Sequence, residues 1–168
     1  MKNKSVNILM VDDHTPIIEG YKSILSYNKS GFPIITKEAN DCESAYKIIT
    51  NPKNTILFDL VFIDVTLPPF IEKNIHSGED LVPFIKENLP NTKIVILTSH
   101  TESLVLFRIL DNCKPDGLLV KSDFTSEEFL VVFDTILSGE KYLSKTVLKH
   151  SKDVVETRKF LDHYTIQI

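Results

Sequence analysis

Four nearly continuous apolar runs punctuate the chain: Val6-Asn7-Ile8-Leu9-Met10-Val11, Leu60-Val61-Phe62-Ile63, Ile94-Val95-Ile96-Leu97 and Leu118-Leu119-Val120. A strand that is apolar at consecutive positions has no face to offer to water, which is the condition of a parallel sheet covered on both sides. Phe32 to Thr36 is a fifth candidate strand. Helical spacing between the runs gives an alternation of strand and helix, which selects a doubly wound α/β architecture over a sandwich or a bundle.

The helix signals sharpen this reading. Thr15 is placed to cap a first helix with Pro16 at its first position, followed by a stripe of Ile17, Tyr21 and Ile24. Asn40 to Glu43 has capping-box spacing for a second helix with Ala45, Ile48 and Ile49 facing inward. A third helix carries Leu81, Phe84 and Ile85, and Pro83 predicts a start near Asp80, because proline is comfortable only in a first turn. Thr125 to Glu128 is a capping box for the last helix, with Phe129, Val132, Phe133, Ile136 and Leu137 as its stripe and Gly139 as its stop. The fourth helix, around Leu104 to Leu110, is apolar nearly all round, so either an extension buries it or it is a partner surface.

At 168 residues, with 42% hydrophobic and 25% charged residues, the chain reads as one soluble domain with a short appendage. A formal net charge of −4 disfavours broad neutralisation of nucleic-acid phosphates. Cys42 and Cys113 have no metal-ligand spacing and read as buried thiols of a reducing compartment. No segment has the length and apolarity of a membrane span or a signal core, so a cytoplasmic location is expected.

Asp12 and Asp13, Asp64, Thr98 and Lys121 each stand just past one of the apolar runs. In an open α/β sheet ligands bind beyond the C-terminal strand ends, where these side chains can converge. Carboxylates are the hard donors that Mg²⁺ requires, usually beside phosphate oxygens and water. Two carboxylates about 5 Å apart repel by about 3 kcal/mol at an effective dielectric of 20, a strain that a divalent cation relieves. One carboxylate can then attack a phosphoryl group, with an ammonium and a hydroxyl stabilising the charge on its oxygens. Taken singly, each residue is as well explained by a cap, a turn or a surface charge; the ordered set is the specific signal.

The segments Val11-Asp12-Asp13-His14, Phe62-Ile63-Asp64, Leu97-Thr98-Ser99 and Val120-Lys121 resemble the receiver domain of two-component response regulators, over residues 6 to about 144. Pro68 and Asp116-Gly117 fit as well, and Ser138-Gly139-Glu140-Lys141-Tyr142-Leu143-Ser144 is similar to the end of receivers in the LuxR/NarL-type branch, which carries a C-terminal helix-turn-helix. The resemblance implies a five-stranded flavodoxin-like parallel sheet, order 2-1-3-4-5, with helices on both faces. It implies that a sensor histidine kinase phosphorylates Asp64, that Mg²⁺ is held by Asp12, Asp13, Asp64 and the Thr66 carbonyl, and that Thr98 and Lys121 contact the phosphoryl group. Thr66 and His100 are then expected to flank the path of the hydrolytic water.

Two positions and one segment depart from that pattern. Leu118 stands where the family often has an aromatic residue, Ser122 follows the lysine in place of a frequent proline, and Pro69 to Ser77, containing His76, resembles an insertion before Gly78. The domain boundaries expected are a receiver over 1–144, a linker over 145–160 and the start of a helix-turn-helix effector over 161–168. The function expected is phosphorylation-controlled transcription regulation, with self-association among the expected interactions and DNA bound only through such an effector. A stand-alone receiver serving as phosphorelay intermediate or interaction switch is the alternative. A haloacid-dehalogenase-like phosphatase fits poorly, since Thr66 occupies the place of that family's second Asp, and a flavodoxin-like cofactor binder lacks its phosphate loop.

Overall fold

The computed structural model describes residues 4–53 and 57–152. In chain order the elements are β1 (Val6–Val11), α1 (Thr15–Leu25), β2 (Ile34–Ala39), α2 (Cys42–Thr50), β3 (Leu60–Asp64), α3 (Gly78–Asn88), β4 (Lys93–Thr98), α4 (Ser103–Cys113), β5 (Gly117–Val120), α5 (Ser126–Leu137) and β6 (Tyr142–Leu143). All neighbouring strands run parallel, in the order β2-β1-β3-β4-β5-β6. The five-stranded expectation is corrected to six. A two-residue strand carries no periodicity to read, and β6 is held by backbone bonds from Tyr142 to Asp116 and from Ser144 to Leu118.

Alternation along each central strand explains the continuous apolar runs. Leu9, Val11, Val61, Ile63 and Ile96 pack toward α2, α3 and α4, whereas Ile8, Met10, Leu60, Phe62, Val95 and Leu97 pack toward α1 and α5. β2 lies at the edge, and its alternation of half-buried and exposed positions fits that place. Chain order reverses between β1 and β3, so the ends of these two strands form the switch point at which such sheets bind ligands.

Several local expectations shift. His14, rather than Thr15, occupies the cap position of α1, without a capping bond from its side chain, which puts Pro16 one place later but still in the first turn. Asp41 caps α2 by accepting from the Ser44 amide at 2.7 Å, while Asn40 turns away and donates to the Asp12 carbonyl at 3.1 Å. α3 begins at Gly78, leaving Pro83 inside the helix. Proline has no N–H for the Glu79 carbonyl one turn back, and the Cys113 thiol lies 4.0 Å from that oxygen as a weak donor. The capping box of α5 is present, with Thr125 and Glu128 each accepting from the other's amide.

Pro69 to Ser77 is a built structure. A 3-10 turn over Ile71–Lys73 is bracketed by a bridge between Phe70 and Ile75, both buried, and Tyr46 meets the Phe70 ring edge-on at 5.7 Å. Residues 145–152, within the stretch expected as a linker, are helical, and Val147 is buried against the α4 side of the core. Leu104 remains 80% exposed on α4. The expected effector start at 161–168 lies outside the described residues. Both cysteines are free and buried, and among the described residues no helix is long and apolar enough to cross a membrane.

Candidate functional site

β1 and β3 are hydrogen-bonded neighbours, so the residues that follow or end them are brought side by side: Asp12 directly after Val11, and Asp64 as the last residue of β3. Both are almost wholly buried, at 2% and 4% exposure, whereas Asp13 is exposed. Lys121 arrives from the end of β5 and places its Nζ 2.9 Å from Asp64 Oδ2 and 3.2 Å from Asp12 Oδ2. The Lys121 amide donates to the Thr98 carbonyl at 2.8 Å, which ties together the loops after β4 and β5. Thr98 is fully buried, and its Oγ1 accepts from the His100 amide at 3.0 Å.

Burial is the largest influence on Asp64 and raises its pKa; Lys121 pulls it down, the Asp12 charge adds to the rise, and the net direction is up. Burial opposes the charge of Lys121 too, but its hydrogen bond to Asp64 and the charges of Asp64 and Asp12 outweigh that, so its pKa is raised. An isolated ion pair would lower the acid while raising the base. Here both rise, because one ammonium serves more than one carboxylate at a desolvated point.

The donor set fits a hard divalent cation. Ligand atoms of Asp12, Asp13, Asp64 and His14 all lie within 4.8 Å of one another. His14 was not singled out in the sequence, although it sits beside the acidic pair; its Nδ1 is 2.9 Å from Asp13 Oδ1 and 3.3 Å from Asp12 Oδ1. Thr66, expected as a carbonyl ligand, is exposed, and its amide donates to Asp64 Oδ1 at 3.2 Å.

Two further residues, named in the sequence only for a helix stripe and for spacing, stand at the site. Tyr21 stacks on Phe129 at 4.7 Å, and its phenol is pushed up to about 12, chiefly by burial, with Lys121, Asp12 and Asp64 close enough to act on it. Gly78 lies against Asp64 so closely that a Cβ there would stand 2.0 Å from the Asp64 carbonyl oxygen. Beside the site, Thr66, His76, His100, Asp80 and Arg108 line an open cleft of about 420 Å³, so the insertion and both expected water-path residues meet there.

Comparison with known proteins follows the same lines. A family model described as "Response regulator receiver domain" matches residues 8–134. "Oxygen regulatory protein NreC" of Staphylococcus haemolyticus is 28% identical over 159 residues, covering 89% of this chain and 67% of its own. Its namesake in Staphylococcus epidermidis is 26% identical over 138 residues, 82% of this chain and 57% of that one. The chain therefore spans about three fifths of the length of these relatives. The isolated REC domain of RcsB from Salmonella enterica serovar Typhimurium, solved with phosphomimetic BeF3-, superposes with a TM-score of 0.70 at 20% identity, covering 88% of this chain and 99% of that one. A LuxR family two-component response regulator from an Aurantimonas species gives 0.72 at 24% identity, with 90% and 99% covered. At such identities the structural likeness speaks for a common fold.

Proposed function

The chain belongs to the response regulator receiver family, and from that premise we propose that Asp64 accepts a phosphoryl group from a sensor histidine kinase in a magnesium-dependent reaction. The observation that supports this most is the single ammonium of Lys121 bridging two carboxylates buried at the sheet's switch point. Two carboxylates buried around one ammonium are costly to keep without a task, and perturbed, desolvated groups of this kind are a mark of chemistry.

In the proposed step a carboxylate oxygen of Asp64 attacks phosphorus, the phosphorus–nitrogen bond to the kinase histidine breaks, and the imidazole leaves with its electron pair and takes up a proton. Asp12, Asp13, Asp64 and the Thr66 carbonyl would hold Mg²⁺, which when bound neutralises the acidic cluster and the charge on the phosphoryl oxygens. Lys121 gives up its direct pairing with Asp64 to meet one phosphoryl oxygen, and the Thr98 hydroxyl donates to another. Thr66 and His100 flank the side from which water later attacks phosphorus, releasing phosphate and restoring the carboxylate.

We extend the reading to the longer protein that the relatives suggest: a cytoplasmic regulator in which phosphorylation switches DNA binding by a C-terminal helix-turn-helix. RcsB, whose receiver has this fold, has been described as dimers bound to DNA, and self-association is carried over on that basis. The test of the core claim is chemical. Incubation with Mg²⁺ and a small acyl-phosphate donor should yield one hydroxylamine-sensitive modification at Asp64, absent from Asp64→Asn. Labelling of that variant at an undiminished level would refute the assignment.

A further inference from the structure

Asp123 lies two residues beyond Lys121, in the loop between β5 and α5, and the reaction gives it no part. Its carboxylate is nonetheless heavily engaged, with both oxygens accepting hydrogen bonds. Oδ2 accepts from Ser144 Oγ at 2.7 Å and from the Thr146 amide at 2.8 Å, and Oδ1 accepts from Thr146 Oγ1 at 2.7 Å. Ser144 is 3% exposed, and its Oγ in turn accepts from the amide of Val120, the residue before Lys121, at 2.9 Å. Ser144 also begins the helix over 145–152, since its carbonyl accepts from the Leu148 amide at 2.9 Å. Asp123 thus satisfies the first turn of that helix from a distant loop, a task usually left to the cap residue itself.

Farther along the same helix, a second bond fastens it to the second reacting arm. The His150 Nε2–H donates to the Thr101 carbonyl at 2.9 Å, three residues past Thr98. Between these points Val147 is buried, and the helix meets Leu106, Phe107 and Leu110 of α4 around a cavity of about 10 Å³, room for at most one water. One helix therefore spans the loops that follow Lys121 and Thr98. Those loops are also joined at their base by the Lys121 amide and the Thr98 carbonyl.

We propose that Asp123 is a positioning residue of the switch: its carboxylate latches the Lys121 loop to the helix at 145–152, so that occupancy of the phosphoryl site and docking of that helix on α4 are linked equilibria. This rests on the phosphoryl-acceptor reading above. Lys121 is drawn directly to Asp12 and Asp64, and a phosphoryl group placed between Lys121 and Asp64 must re-aim both Lys121 and Thr98. Their loops are pinned to successive turns of one helix, at Thr146 and at His150, so the re-aimed arms work against the latch. Coupling between two sites is reciprocal. If a phosphoryl group loosens the latch, removing the latch must tighten the binding of a phosphoryl group.

Beryllofluoride, titrated into the 168-residue chain in excess Mg²⁺ and followed by fluorine NMR, reads this directly. Amide hydrogen exchange over 145–152 is the second readout. Wild type should exchange faster in this helix once beryllofluoride is bound. Asp123→Ala should bind beryllofluoride at least about fivefold more tightly, the lower end of ordinary coupling, with exchange at 145–152 already fast. Thr146→Val, which removes only the Oγ1 bond and keeps the volume, should move the same way by less; if Asp123→Ala does not fold, this variant decides. Equal or weaker affinity in the folded variants, or exchange at 145–152 indifferent to beryllofluoride in wild type, overturns the latch. Failure of wild type to bind beryllofluoride at all would instead strike at the phosphoryl site, as Asp64→Asn should do by design, and would remove the latch with it.

Discussion

Gly78→Ala is a single-methyl test of how tightly the reacting strand is held. Helix propensity alone favours the change by at most about 1 kcal/mol, the value for a helix interior, since Gly78 is the first residue of α3. The geometry opposes it. A Cβ at position 78 would meet the Asp64 carbonyl oxygen at 2.0 Å, its carbonyl carbon at 3.0 Å and Ile63 Cγ1 at 3.1 Å. Relief requires α3 to retreat by about 1 Å, a normal carbon–oxygen contact being about 3.3 Å or more. β3 cannot yield instead, because it is paired on both sides, with β1 and with β4. Overpacking of this kind costs about 1–3 kcal/mol, and loss of the Gly78 amide's bond to the Val65 carbonyl adds about 1. Set against the propensity gain, the net loss should be about 2 kcal/mol, read as a lower urea midpoint followed by circular dichroism. Acyl-phosphate labelling of Asp64 should fall as well, since the retreat of α3 removes the contact that packs beside the proposed acceptor. A Gly78→Ala protein as stable as wild type and fully labelled would refute the claim that the contact is limiting.

The remaining expectations are simpler. Asp64→Asn should be more stable than wild type at neutral pH in metal-free buffer: a carboxyl whose folded pKa is raised contributes stability below its unfolded pKa and loses it as pH rises through the folded value, so the advantage of Asn should vanish on acidification. Equal urea midpoints at pH 7 would contradict this. Mg²⁺ at a hundred times its dissociation constant should stabilise wild type by about 2.7 kcal/mol, and the rise in melting temperature should be missing from Asp13→Ala. Thr125→Ala should cost about 1 kcal/mol through loss of the α5 cap, with Mg²⁺ binding unchanged by calorimetry.

What was legible in the sequence was whatever depends on a run or a spacing. Continuous apolar strands encode a sheet buried on both faces, and a polar side chain after each run marks the edge where strands end together. Asp12, Asp64 and Lys121 meet as that logic requires. Features that depend on a single contact were not legible. The capping of α2 by Asp41 rather than Asn40 is decided by the Asp12 carbonyl, which claims the Asn40 side chain from another strand. Pro83 is tolerated within α3 where α4 brings a thiol to the stranded carbonyl. His14 enters the acidic cluster through the backbone conformation of a cap, and Gly78 is needed because of a carbonyl that is distant in sequence. The excess apolarity of α4 was visible, but the helix that covers part of it begins at Lys145, in the stretch expected as a linker.

Asp12 and Lys121 stand 109 positions apart along the chain, and their meeting requires every intervening strand to be in register. Loop closure over such a distance adds little in free energy, since each doubling of length costs only about 0.6 kcal/mol, but it is slow, because distant pairings form late. While the protein is being synthesised, its acidic pair has no ammonium to meet until β5 has emerged, long after the carboxylates themselves. On the proposed reading, a copy able to accept a phosphoryl group has thus already closed its central sheet, and a partly folded chain, whatever its abundance, is silent.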